Sequence, residues 1–450
     1  MNNIERHIVA KFGGTSVSTK ERVLTLCNIV GKELKRKPIV VVSALSGITD
    51  SLLSLPALPK AQAGEKIQEI RNLHKSLIES LWSDAKLQDE TLQFIDHQLS
   101  EVSQLLREKK LDKEFLDKLA SYGEIISSYI ITEALINQGI QARQVIATRL
   151  IITDDNFGSA DFLLQPTKIN IKKILTPLIK KNIVPVITGF IGSTKNNQVT
   201  TLGRGGSDYT ASIIGFCLGA SEIQIWTDVD GIMTADPKIV KKARSVELVS
   251  YEEASELAVL GAKVLHPKTI LPAVTKNIPV RILNTFNPSH KGTTIMQEAR
   301  KHNYIASIAC RKGVKVIDIH DPKMFLMHGF LYKIFKIFDE LKISVDFIST
   351  SEVSISVTID GHFNTIKLVE RLKDWADVGV KNDRATVSVV GRPSGSAPMI
   401  CGKIYTLFEN KKIDIEMISL GASKINETVV VRQENADNVV KILHKTYFGV

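Results

Sequence analysis

Residues 7–23 read HIVAKFGGTSVSTKERV. A short apolar run ends at Phe12, two glycines follow, and Ser18-x-x-Glu21 then matches a capping box. Val23, Cys27, Val30 and Leu34 continue at helical spacing. The stretch is therefore a strand, a glycine turn and a helix, and 38–42 supplies the next strand. Working outward, Ile67, Ile70, Leu73, Leu77 and Leu81 share one helical face, as do Leu92, Ile95, Leu99, Val102 and Leu106. A third helix spans about 114–138 and stops at Gly139, a C′ glycine. Strands return at 183–188 and 222–227. Such alternation predicts helices packed on a mostly parallel sheet.

The last third contains a repeat. Residues 333–349 read KIFKIFDELKISVDFIS and residues 403–419 read KIYTLFENKKIDIEMIS, with 7 of 17 positions identical at a constant offset of 70. Each copy is an amphipathic helix running into an alternating strand, followed by a second strand (353–359, 428–432) and a second helix. This predicts two small βαββαβ modules. Pro288, Gly292 and polar residues interrupt the pattern and place a boundary near 287–299.

A chain of 450 residues exceeds one hydrophobic core, so two or three domains are expected. Its 44% hydrophobic and 24% charged residues exclude a disordered tail, a collagen-like fibre and a small disulfide scaffold. No run approaches the roughly 20 apolar residues of a membrane span, and residues 1–10 lack the apolar core of a signal peptide. The expected protein is soluble and cytoplasmic, without a membrane partner. The net charge of +10 is scattered over lysine pairs such as Lys109–Lys110 and Lys180–Lys181, not gathered in an aromatic-interleaved stripe, so nucleic acid is not the expected partner. Cys27, Cys217, Cys310 and Cys401 stand far apart, which suggests free thiols and no metal site.

Four segments carry chemistry. In Lys11-Phe12-Gly13-Gly14-Thr15-Ser16 the glycines let backbone approach a ligand, and exposed N–H groups at a helix start favour phosphate. The lysine precedes the glycines, so this is neither a Walker A loop nor a GxGxxG fingerprint. In residues 201–208, TLGRGGSD, a glycine turn holds Arg204, whose planar fork suits carboxylate or phosphate, while Ser207 or Asp208 could simply cap the next helix. Two such turns, each with a cation and each opening a helix, predict an anion site. Residues 226–237, WTDVDGIMTADP, place polar groups at a strand's carboxyl end, where open α/β sheets bind ligands. Residues 261–267, GAKVLHP, add a lysine; His266 reads as a packed structural histidine, not a base.

Together KFGGTSV, VVVSALSGITD, SYGE, TLGRGGSDYTA, WTDVDGI, GAKVLHP and ISVDFISTSEVS resemble the aspartate kinases, specifically the lysine-sensitive monofunctional type, over essentially the whole chain. The resemblance implies a three-layer α/β/α amino-acid kinase domain (1–297) and two ACT modules. The first (313–383) would be inserted within the second (298–312 plus 384–450). It implies Lys11, Asp208 and Lys263 as catalytic residues, with Asp208 organising the lysines. Thr49, Glu124, Arg204 and Ser207 would hold aspartate, Arg204 on its α-carboxylate. Lys11, Gly13, Gly14, Ser43, Thr227, Asp228, Met233, Asp236, Lys263 and Val264 would serve ATP, which enters with Mg²⁺. Met233 is a departure, since tyrosine is frequent there in the family.

The implied reaction is phosphorylation of the aspartate side chain to 4-phospho-aspartate, the first step of lysine, threonine and methionine biosynthesis. The nucleophile's pKa of about 3.9 leaves it ionised at neutral pH, so no general base is required. L-lysine is the implied inhibitor, held by Met324, Phe330, Leu331, Ser344, Val345, Asp346, Ser351 and Glu352. Asp346 and Glu352 would face its ammonium groups, and backbone amides near Met324, Phe330 and Leu331 its carboxylate. Met327 departs from the small polar residue usual there. The second repeat has Glu416 opposite Asp346 but Gly421-Ala422 in place of Ser351-Glu352. Assembly into a homodimer or homotetramer through ACT modules is implied. A kinase for glutamate, N-acetylglutamate or a nucleotide, and a non-catalytic amino-acid sensor, are the alternatives.

Overall fold

The computed structural model describes residues 7–108, 111–261, 265–297, 304–392, 398–420 and 425–449. The chain divides into two compact units, one of Met1–Gly231, Glu247–Tyr251 and Leu265–Glu298, the other of Ile232–Val246, Glu252–Val264 and Ala299–Val450.

The chain begins with β1 (Ile8–Phe12), α1 (Lys20–Lys32), β2 (Pro38–Val42), α2 (Ile48–Ser54), α3 (Lys60–Leu81), α4 (Ala85–Leu105) and α5 (Lys113–Asn137). Next come β3 (Ala142–Val145), α6 (Leu164–Lys180), β4 (Val184–Thr188), the hairpin β5 (Ile191–Ser193) and β6 (Val199–Thr201), α7 (Gly206–Leu218) and β7 (Glu222–Thr227). Then follow β8 (Leu248–Ser250), α8 (Tyr251–Val259), α9 (Pro267–Thr275), β9 (Val280–Asn284) and β10 (Thr293–Met296); α8 from Glu252 onward belongs to the second unit.

Eight strands form one sheet in the order β3-β4-β2-β1-β7-β9-β10-β8. The first six run parallel; β10 is antiparallel to β9 and parallel to β8. Strands β2 and β4 are buried at every residue, as a parallel sheet covered on both faces requires. Phe12, Val40, Val42, Val186 and Trp226 share one core with buried residues of α1, α3, α4 and α5. On the sheet's other face α7 packs on β1, β2 and β7, with α6 and α9 beside it. The result is a three-layer α/β/α domain.

Several local expectations hold and others shift. Helix α5 ends in a Schellman motif: Gly139 at φ +77° donates to Ile136 O and Ile140 to Leu135 O. The capping box does not form. Helix α1 starts after Thr19, and Ser18 Oγ instead donates to Gly14 O and accepts from Ser46 N at 3.0 Å. Leu34 and Leu73, placed on apolar faces by spacing, are exposed, because Leu34 lies past the end of α1 and Leu73 at the margin of the α3 stripe.

The second unit carries β11 (Tyr304–His320), α10 (Phe330–Glu340), β12 (Val345–Thr350), β13 (Ser354–Asp360), α11 (Ile366–Leu372) and β14 (Asp377–Arg392). It closes with α12 (Pro398–Lys411), β15 (Met417–Leu420), β16 (Asn426–Arg432) and α13 (Ala436–Phe448). The strands form an antiparallel sheet in the order β12-β13-β11-β14-β16-β15. Val314–His320 of β11 pairs with β13, whereas the preceding half pairs with the far half of β14, which pairs in turn with β16. Register shifts near Lys312–Val316 separate the halves. Each half has its own core, one around Phe330, Phe338 and Leu368, the other around Phe408, Val440 and Leu443. The repeated helix–strand units are α10–β12 and α12–β15, giving two βαββαβ modules.

Candidate active site

The carboxyl ends of β1, β2 and β4 open on one side of the first unit, and their loops, with the 201–208 turn and α5, line a cleft of about 430 Å³. It is lined by Lys11, Ser43, Thr49, Glu124, Arg204, Ser207 and Asp208, and also by Gly158, Phe190, Gly203, Gly205 and Gly206. Seven residues singled out from sequence are thereby brought together.

Glycines allow that convergence. A Cβ on Gly14 would lie 2.7 Å from Ala44 O, so only glycine lets the turn after β1 touch the loop after β2. A Cβ on Gly123 would lie 2.8 Å from the Cβ of Ala44. Helix α5 therefore seats against that loop and delivers Glu124 into the cleft. At the 201–208 turn, Gly203 and Gly205 adopt φ of +76° and +72°. Gly205 is the N-cap of α7, so neither Ser207 nor Asp208 caps the helix and both side chains are free to face the cleft.

Lys11 Nζ lies 2.7 Å from Asp208 Oδ1, with both side chains largely buried. Ser43 Oγ donates to Ser207 Oγ at 3.0 Å. Arg204 is exposed, and among the described residues no carboxylate lies within ion-pair reach of it. Glu124 is 3% exposed. Its Oε1 accepts from Ala44 N at 3.3 Å, its Oε2 has no partner among the described residues, and burial pushes its pKa up to about 8. The cleft thus holds an anchored lysine, a free guanidinium and a carboxyl group that ionises fully only near a cation.

Gly158 and Phe190 were not legible in the sequence. Phe190 is a non-glycine residue at φ +70° after β4, and nothing in a one-dimensional pattern marks it. His266 is exposed, not packed, because its position as N-cap of α9 turns the backbone inward: its carbonyl accepts from Thr269 N and Oγ1. Thr227 ends β7 and Asp228 follows it, the threonine hydroxyl donating to Asp228 at 3.2 Å. Met233 and Asp236 belong to the second unit. Asp236 is exposed there and its Oδ1 accepts from Lys238 N in an Asx-type turn. Lys263 and Val264 lie outside the described residues.

Within the second unit, Ser344 precedes β12, Val345 and Asp346 open it, and Ser351 and Glu352 form the turn into β13. Asp346 is already engaged: Arg311 Nη1 donates to its Oδ2 at 3.0 Å, and the other Arg311 nitrogen reaches Asp360. Burial pushes the Asp346 pKa up against the pull of Arg311. Phe330 fills the core and its N–H donates to Met327 O, while the Met324 N–H donates to Asp321 O, so two of the three expected amides have local acceptors. Leu331 lies in the first turn of α10, where backbone N–H groups precede the first intrahelical acceptors and the N-cap Gly329 supplies no side-chain acceptor. In the second module Glu416 pairs with Arg384 at 2.7 Å; Gly421 and Ala422 lie outside the described residues.

Residues 6–284 match the amino acid kinase family and residues 387–447 the ACT domain. The chain is 36% identical to the chloroplastic aspartokinase 3 of Arabidopsis thaliana, over all of this chain and 83% of that one. It superposes with TM-score 0.84 on Escherichia coli aspartokinase III in complex with lysine and aspartate (98% of this chain, 99% of that one, 32% identity). With the same protein in complex with aspartate and ADP the TM-score is 0.80, covering 98% and 100%. The chain belongs to the amino acid kinase family and, within it, to the aspartokinases.

Proposed function

We propose that this chain transfers the γ-phosphoryl group of ATP to the side-chain carboxylate of L-aspartate and is inhibited by L-lysine. The observation that carries this is the single cleft in which Lys11, Asp208, Arg204 and Glu124 converge. Arg204 takes the α-carboxylate, Glu124 the ammonium end, and Thr49 and Ser207 donate hydrogen bonds. The ionised side-chain oxygen attacks the γ-phosphorus, the bond to the bridging oxygen breaks, and ADP leaves; no proton moves. What opposes the step is repulsion between carboxylate and phosphoryl group, so catalysis is positioning and charge neutralisation. Lys11, oriented by Asp208, supplies the positive charge, and Lys263 is assigned the same neutralising role. Gly13 and Gly14 admit the phosphates, with Ser43, Thr227 and Asp228 assigned to the nucleotide; the family resemblance alone assigns Met233, Asp236 and Val264 to it.

Mg²⁺ is assigned to the nucleotide's own phosphate oxygens. The assigned domains are 1–297, 313–383 and 298–312 plus 384–450, a division supported by the two differently paired halves of β11. Lysine is placed on the first ACT module at Ser344–Asp346, Ser351–Glu352 and the start of α10. Self-assembly is placed on the ACT modules, where β12 and β15 are sheet edges. We place the chain in the cytoplasm; among the described residues no helix is long and apolar enough to cross a membrane. A coupled assay with ATP and a panel of aspartate, glutamate, N-acetylglutamate and nucleoside monophosphates is the test. Turnover of aspartate alone is expected, and equal turnover of glutamate rejects the assignment.

A further inference from the structure

Helix α5 contributes a second buried carboxylate that touches the cleft only through other residues. Asp117 is 4% exposed and has no cation within ion-pair reach among the described residues. Its Oδ2 accepts from the backbone N–H groups of Gly158 and Thr201, both at 2.8 Å, and its Oδ1 accepts from Thr201 Oγ1 at 2.7 Å. Gly158 is itself a cleft residue, at φ +88°. Thr201 ends β6, three residues before Arg204, and its carbonyl accepts from Ala160 N at 2.9 Å. The two walls also meet directly: a Cβ on Gly203 would lie 2.9 Å from Ser159 Oγ.

One carboxylate therefore ties the 154–161 loop and the arginine-bearing turn to α5. Seven residues further along the same helix stands Glu124, two turns and about 10 Å away. Both ends of the amino-acid subsite are thus referred to one rigid rod: Glu124 directly, Arg204 through Asp117 and Thr201. We propose that Asp117 is a positioning residue that sets the separation of Arg204 from Glu124, and so the length of acidic amino acid the cleft accepts. The inference rests on the reading of this cleft as the aspartate site.

The test uses the full chain and three measured quantities: KM for aspartate, KM for ATP, and the inhibition constant of glutamate against aspartate. In Asp117→Asn the carbonyl oxygen can keep both backbone donors and the amide can donate to Thr201 Oγ1, so what is lost is the acceptor's negative charge and the direction of the hydroxyl bond. Hydrogen bonds to a charged acceptor are strong enough that KM for aspartate should rise about tenfold to a hundredfold with KM for ATP unchanged. Glutamate should bind closer to aspartate's level. Thr201→Val, which removes only the hydroxyl donor, should move both in the same direction by less, and Thr201→Ser should restore them. That pair decides the matter if Asp117→Asn does not fold. Unchanged aspartate KM, or a discrimination ratio that stays fixed while activity falls, overturns the proposal. Arg204→Ala separates the two layers: if it leaves aspartate KM untouched, the cleft assignment fails; if it raises KM while the Asp117 and Thr201 variants do not, only the positioning role fails.

Discussion

Replacing Glu124 by glutamine keeps the shape of the side chain and the acceptor for Ala44 N while removing one titration. In the ligand-free protein burial raises this carboxyl group from 4.5 to about 8. At 1.36 kcal/mol per unit, that separation corresponds to about 5 kcal/mol. The sign follows from which state holds the proton. The folded state holds it more tightly, so the stability it contributes is fully present below about pH 4.5 and is lost as pH rises through about 8. Glutamine has no such loss. Glu124→Gln should match wild type in acid, exceed it by about 3 kcal/mol at neutral pH, and by about 5 kcal/mol above pH 8.

The same proton governs the substrate. An ammonium group needs the carboxylate, so below about pH 8 aspartate binding releases a proton and its affinity should rise about tenfold per pH unit. In the glutamine variant aspartate should bind weakly and without that slope, with ATP binding unchanged. Thermal unfolding of both proteins from about pH 5 to about pH 9, with aspartate calorimetry in buffers of different ionisation enthalpy, measures both effects. A stability difference that does not vary with pH would show that Glu124 is ionised throughout. Unchanged aspartate affinity would remove it from the site.

Lys11→Ala should lower kcat about a hundredfold to a thousandfold, the loss typical of one preorganised charge-stabilising donor, with little change in the unfolding midpoint. Near-normal turnover would leave Lys11 as a partner for Asp208 alone. Gly14→Ala places a methyl group 2.7 Å from Ala44 O, so the turn must move and KM for ATP should rise more than KM for aspartate. Asp346→Ala should abolish lysine inhibition, while Arg311→Ala, which frees Asp346 from its internal cation, should lower the lysine needed for half-inhibition. Threonine and methionine serve as controls, and inhibition by threonine alone would reassign the effector. Chelation of divalent cations should stop turnover and added Mg²⁺ restore it; full activity in excess chelator would refute the Mg²⁺ assignment.

The sequence by itself determined helices packed on a mostly parallel sheet and the paired C-terminal modules, because strand, glycine turn and helix are local signals that tertiary packing did not override; the three-layer kinase domain followed from the family resemblance. The 70-residue repeat likewise required only comparison of the chain with itself. It also marked the glycine turns, since a backbone position that admits no Cβ can be filled only by glycine. What only the tertiary structure decided lies in contacts between segments distant in sequence. Ser18 reads as a helix cap until Ser46 is seen to claim its hydroxyl. His266 reads as packed, yet it stands exposed at the start of α9. Asp346 reads as an open effector ligand until Arg311, on a strand the sequence assigns elsewhere, is found against it. Asp117 looks like any helical acid; its three donors come from residues 41 and 84 positions away, so only the folded chain gives it a role. Spacing along a chain fixes which face a residue occupies, but what meets that face is fixed by packing.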